Sequence, residues 1–130
     1  MKQQITHIAL LVNDYDEAIQ FYTKKLNFIV KEDTILSETK RWVIISPPGS
    51  DGCSLLLAKA ATEEKKSRIG NQKGGRVFLF LHTDDNKRDY RNMKEQGISF
   101  AREPVEELWG TVAVFKDLYG NLWDLIQPKK

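Results

Sequence analysis

The chain has 130 residues, 41% hydrophobic and 29% charged, an ordinary globular balance that suits a single domain. Its 20 Lys and Arg face 18 Asp and Glu with the signs interleaved, so no basic face long enough to track a phosphate backbone is expected and nucleic acid is excluded as a partner. No run of about 18 apolar residues occurs and Met1-Lys2-Gln3-Gln4 lacks signal-peptide character, so no membrane contact is expected; Cys53 is alone, which makes the cytoplasm the expected location.

Ile5 to Val12 is apolar and rich in β-branched residues, which predicts a strand, and Asn13-Asp14 then offers a cap for a helix running to Leu26. Ala18, Phe21, Tyr22 and Leu26 recur at spacings of three and four and form one apolar stripe. Asn27 tolerates the left-handed backbone that ends helices, so Phe28 to Glu32 returns as a second strand. Arg41 to Ser46 reads as a third strand, Pro47 to Gly52 as a turn and Cys53 to Lys59 as a fourth. Residues 61–75 are polar, begin with a capped helix at Thr62 and end in Gly74-Gly75. Within them Glu63 to Arg68 pairs acids with bases as a solvated helix face does.

The same order begins again at Arg76. Arg76 to His82 is a strand, Thr83-Asp84 repeats the cap, Gly97 stands where Asn27 stood, Thr111 to Lys116 matches Arg41 to Ser46, and Asn121 to Gln127 matches Cys53 to Lys59. The expected organisation is one domain over 1–130, with a first βαβββ module over about 1–60, a connector over 61–75 and a second module over about 76–130.

Two stretches carry a family resemblance. Ile5-Thr6-His7-Ile8-Ala9-Leu10, followed by Asp14 to Tyr22 and Leu26-Asn27-Phe28, resembles the opening of vicinal oxygen chelate proteins, the superfamily of glyoxalase I, bleomycin-resistance proteins and extradiol dioxygenases. Phe115-Lys116-Asp117-Leu118-Tyr119-Gly120-Asn121-Leu122-Trp123-Asp124-Leu125 resembles its closing hairpin. The resemblance implies an α+β fold in which tandem βαβββ modules form a curled mixed sheet around a small-molecule cavity. It also implies a divalent metal held by four strand positions in the metal-dependent members.

Two of those positions match His7 and Asp124, which are therefore the candidate metal and catalytic residues. The other two fall at Leu56 and at Val77 or Phe78, which carry no donor, so the metal site is incomplete and only weak divalent binding is expected. His82 lies about four residues further along its strand, ~13 Å from the ligand position, too far to share an ion. It shares parity with Phe78 and Phe80, which makes it a candidate proton-transfer group or, equally, a structural cap. For His7 and Asp124 a structural pairing, a metal-free acid-base dyad and a weak metal site all stay open.

Trp42, Arg41, Phe80, Trp109 and Tyr119 are candidate ligand contacts, with Arg76 a further cation for an anionic ligand. The function expected is small-molecule binding by a homodimer. The alternatives are a metal-dependent lyase or dioxygenase and a drug-sequestering resistance protein. The formal charge of +2 points away from cationic drugs and toward a neutral or anionic aromatic compound.

Overall fold

The computed structural model describes residues 1–129, which fall into two compact units, Met1–Ile69 and the chain from Gly70 onward. The boundary lies inside the connector expected at 61–75. Unit 1 contains β1 (His7–Val12), α1 (Tyr15–Lys25), β2 (Ile29–Ile35), β3 (Arg41–Ser46), β4 (Ser54–Lys59) and a short α2 (Glu63–Ser67). Unit 2 contains β5 (Val77–His82), α3 (Asn86–Glu95), β6 (Phe100–Glu107), β7 (Gly110–Lys116) and β8 (Leu122–Pro128). The sheets are ordered β1-β4-β3-β2 and β5-β8-β7-β6, so βαβββ occurs twice with the same topology. In each, the first and last strands run parallel and the remaining pairs antiparallel. No helix among the described residues is long and apolar enough to cross a membrane.

The local signals act as the chemistry requires. The Asp14 carboxylate accepts a hydrogen bond from the Glu17 N–H at 2.9 Å and starts α1, whose acidic first turn and basic last turn complement the helix dipole. The helix ends at Asn27 with φ 61°, and the Phe28 N–H closes back on the Tyr22 carbonyl at 2.9 Å. That closure takes Phe28 out of the second strand, which starts at Ile29 and runs on to Ile35 rather than stopping at Glu32. Phe28 is buried against Tyr22 instead, at 5.4 Å between ring centres.

In unit 2 the cap also moves. Thr83, just past β5, is still tied to β8, its N–H donating to the Ile126 carbonyl at 2.8 Å, and the helix starts one residue later than Thr83-Asp84 suggests. Asp85 is the cap, accepting from the Arg88 N–H at 3.1 Å.

Each core lies between sheet and helix. Leu10, Val12, Val43, Ile45, Leu55 and Leu57 are buried with the Ala18, Phe21 and Tyr22 stripe of α1. Each such side chain contributes roughly 1.5–3 kcal/mol. Unit 2 buries Ala113, Phe115, Trp123 and Leu125 in the same way, with Phe115 stacked on Trp123 at 5.5 Å. Asn86, fully buried at the start of α3, donates to the carbonyls of Leu125 at 2.6 Å and Thr111 at 3.1 Å and so ties the helix to β8 and β7.

Candidate functional site

Because strand side chains alternate, the core faces leave a second face on each sheet, and the register states which residues share it. In unit 2 the row across that face is Phe80, Asp124, Val114 and Arg102, through the pairs Phe80↔Asp124, Asp124↔Val114 and Val114↔Arg102. In unit 1 the row is Ala9, Leu56, Ile44 and Glu32. Leu56 therefore occupies in its unit the place that Asp124 occupies in the other.

Asp124 is half-buried, and loss of solvent raises its carboxyl pKa above the ordinary value, an effect partly opposed by the positive charge of Arg102. Beside it on β5, Phe80 is 63% exposed. An open cleft of about 470 Å³ spreads over this pair and is lined by Lys73, Arg76, Val77, Phe80 and Asp124.

In unit 1, His7 is half-buried at the start of β1, with Nδ1 3.1 Å from the Thr6 hydroxyl and its ring edge-on to Trp42 at 5.7 Å. His7 and Trp42 thus form one aromatic-polar surface.

The remaining candidates scatter. Arg41 is held by both oxygens of Asp33, at 2.6 and 3.1 Å, and by Asp16 at 2.9 Å, and it lies over the Tyr15 ring at 5.2 Å. Hydrogen bonds to Asp33 and then Asp16 raise its pKa further, so its charge is already matched inside unit 1. Trp109 is 56% exposed at the β6–β7 turn beside Leu108, five residues along from Val114 and thus ~17 Å from the Asp124 row. His82 is exposed at the end of β5, opposite Ile126. Tyr119 is half-buried in the turn before β8, where its N–H donates to Asp117.

These donor sets do not fit a divalent cation. Across from Asp124 stand Phe80 and Val114, and in the unit 1 row Leu56, Ala9 and Ile44 carry no lone pairs for a metal, which leaves Glu32 at the edge of the row as its single carboxylate. Among the described residues no three His, Cys, Asp or Glu side chains are grouped as a metal would need.

Sequence reasoning also passed over three contributors. Lys73 reaches the cleft from the connector, and Lys116, at the end of β7, lines a neighbouring recess with it; only the Gly-rich character of 70–75 hinted at a shaped turn there. Asp117 is the organiser of the closing motif. Buried to 6% exposure, it accepts from the N–H groups of Tyr119 at 3.0 Å and Asn121 at 2.9 Å, from Asn121 Nδ2 at 2.9 Å and from Trp123 Nε1 at 3.2 Å. These bonds shape the turn from which β8 carries Asp124 onto the open face.

Comparison with known proteins gives this geometry a context. The family model for the Glyoxalase/Bleomycin resistance protein/Dioxygenase superfamily matches residues 4–125. An uncharacterized protein from Shewanella frigidimarina (strain NCIMB 400) is 65% identical over 128 residues, covering 98% of this chain and 95% of its own. Among solved structures, UcmS2 superimposes with a TM-score of 0.85 at 31% identity, covering 97% of this chain and 98% of its own. TnmS3, an antibiotic binding protein from Streptomyces sp. CB03234, superimposes with a TM-score of 0.80 at 28% identity, covering 98% of both chains.

Proposed function

Since the chain belongs to the Glyoxalase/Bleomycin resistance protein/Dioxygenase superfamily, we propose that it is a metal-independent binder of a small ring-bearing molecule, which it sequesters rather than transforms. The observation that carries this reading is Phe80. A phenyl ring left 63% exposed in the middle of a strand, beside a partly desolvated carboxylate and over an open cleft, is a surface that gains free energy when a flat apolar group covers it. Asp124 supplies a hydrogen-bond acceptor there, and unit 1 carries an aromatic and polar surface of its own at His7 and Trp42. The likeness to an antibiotic binding protein over nearly the whole chain supports binding as the activity.

The lyase and dioxygenase chemistries of the superfamily rest on a metal that the donor sets here do not fit. In this reading the protein works in the cytoplasm as a homodimer whose second copy helps to wall the bound ligand.

The test joins two titrations. A panel of aromatic and dicarbonyl compounds is screened by thermal shift, where a ligand present at about 100 times its Kd stabilises by roughly 2.7 kcal/mol. Phe80→Ala should weaken any hit by about tenfold or more, as loss of a buried ring contact requires. Ni, Zn, Mn and Fe are then titrated calorimetrically into untagged protein. Stoichiometric binding that His7→Ala abolishes would overturn the metal-independent reading.

A further inference from the structure

We propose that the connector and the turn before β8 form an oxyanion site, and that the molecule bound at Phe80 is accordingly an aromatic carboxylate or phosphate monoester. The ligand class rests on the Phe80 reading, whereas the anion site stands on its own geometry.

A recess of about 230 Å³ lies where the start of β5 and the start of β8 meet the connector. Lys73, Arg76 and Lys116 surround it, and Phe78 and Leu122 form an apolar floor. Each of the three cationic side chains is exposed, and among the described residues none has a carboxylate within ion-pair distance. Arg41, Arg88 and Arg102 each have an acid partner, whereas Arg68 and Arg91, like Arg76, have none within ion-pair distance among the described residues. The three positive charges of the recess repel one another, a cost that an anion between them removes and that Asp124, which lines the neighbouring cleft with Lys73 and Arg76, offsets only from outside the recess.

The walls are built rather than incidental. The Asp117 carboxylate fastens the 117–121 turn through four hydrogen bonds. Gly70, with φ 77°, packs so close to that turn that a Cβ on it would lie 2.0 Å from the Tyr119 carbonyl oxygen. Gly75, with φ 90°, lines the recess and has no side chain to fill it. The charges therefore converge on a site whose frame is set before a ligand arrives, which lowers the entropy lost on binding.

The recess and the cleft over Phe80 are neighbours, because Lys73 and Arg76 line both. Leu122 and Asp124 alternate onto one face of β8, and Lys116 pairs with Leu122 on that same face. A single ligand can therefore lay its ring on Phe80 and place its anionic end among Lys73, Arg76 and Lys116. A carboxylate or a phosphate oxygen is the group that Arg and Lys bind most strongly, through charge-assisted hydrogen bonds.

The experiment is calorimetric titration of the full chain with naphthoate, naphthyl phosphate, naphthamide and inorganic phosphate. Both naphthyl anions should bind about tenfold or more tightly than the amide, and their lead should shrink as NaCl rises from about 50 to about 500 mM. Arg76→Gln and Lys116→Gln should each weaken the anions by about tenfold more than they weaken the amide, while Lys24→Gln, an equal charge change on α1, should alter nothing. Equal affinity for amide and anions, or unchanged anion binding in both Gln variants, overturns the anion site. If ring binding sensitive to Phe80→Ala persists in that case, the Phe80 reading survives. Phosphate binding lost in Arg76→Gln with no affinity gained from the naphthyl ring supports the anion site and sinks the Phe80 reading. Failure of all four probes to bind at millimolar concentration overturns both.

Discussion

Removing the Asp117 carboxylate tests whether the closing motif is a structural device that delivers Asp124 to the open face. Of its four donors, the Asn121 N–H, Asn121 Nδ2 and Trp123 Nε1 lie in the buried interior, whereas the Tyr119 N–H is half-buried in a turn beside exposed Gly120. In Asp117→Ala, water can reach the Tyr119 amide at a cost of up to about 1 kcal/mol, but the three interior donors each lose about 1–3 kcal/mol. The sum, about 3–10 kcal/mol, is a large share of the ~5–15 kcal/mol that typically holds a domain. Asp117→Asn is the sharper test. Its amide keeps one oxygen for the turn N–H groups and places an NH₂ against Asn121 Nδ2 and Trp123 Nε1, so only the part of these two side-chain donors is lost, about 2–6 kcal/mol.

Urea unfolding monitored by tryptophan fluorescence and by circular dichroism gives both values, and Trp123→Phe in each background isolates the indole bond as a coupling. Removing the indole N–H should cost less in the Asn background than in the wild type. An Asp117→Asn protein within about 0.5 kcal/mol of wild type would refute the assignment of Asp117 as the organiser of the turn.

Three further outcomes are expected. Burial raises the Asp124 pKa above its ordinary 3.8, so the folded state is favoured below that value and loses this contribution as pH rises through the higher folded pKa. Asp124→Asn should therefore raise Tm at about pH 7 and give no gain at about pH 3, and a lower Tm than wild type at pH 7 would sink the desolvation account. Asn27, at φ 61°, should tolerate Gly within a few tenths of a kcal/mol but lose about 1 kcal/mol on change to Ala, as chemical denaturation would show. Gly70→Ala drives a Cβ into the Tyr119 carbonyl and should both destabilise the chain and weaken phosphate binding at the recess. Unchanged stability by thermal melt would show that the connector does not abut the turn.

Much of the fold was legible because capping, backbone conformation and periodic burial act over a few residues. Asp14, Thr62, Asn27 and Gly97 announce helix ends through their own side-chain and φ preferences, and β3 emerges at Arg41–Ser46 as its apolar run predicts. The repeat of βαβββ and the two terminal motifs follow from such local marks.

What each side chain faces was decided elsewhere. The bulge between Val77 and Leu79 sets Phe80, rather than Leu79, opposite Asp124, and no local preference reports where a bulge falls. Arg41 reads alike in sequence whether it is free or clamped, and only the folded chain brings Asp16 and Asp33 to it. Lys73, Arg76 and Lys116 lie up to 43 positions apart and converge because β5 pairs with β8 and β8 with β7. Short-range forces acting within the chain determine the elements. Long-range pairing, governed by register and the packing of each core, determines which charges and rings meet, and with them the chemistry of the site.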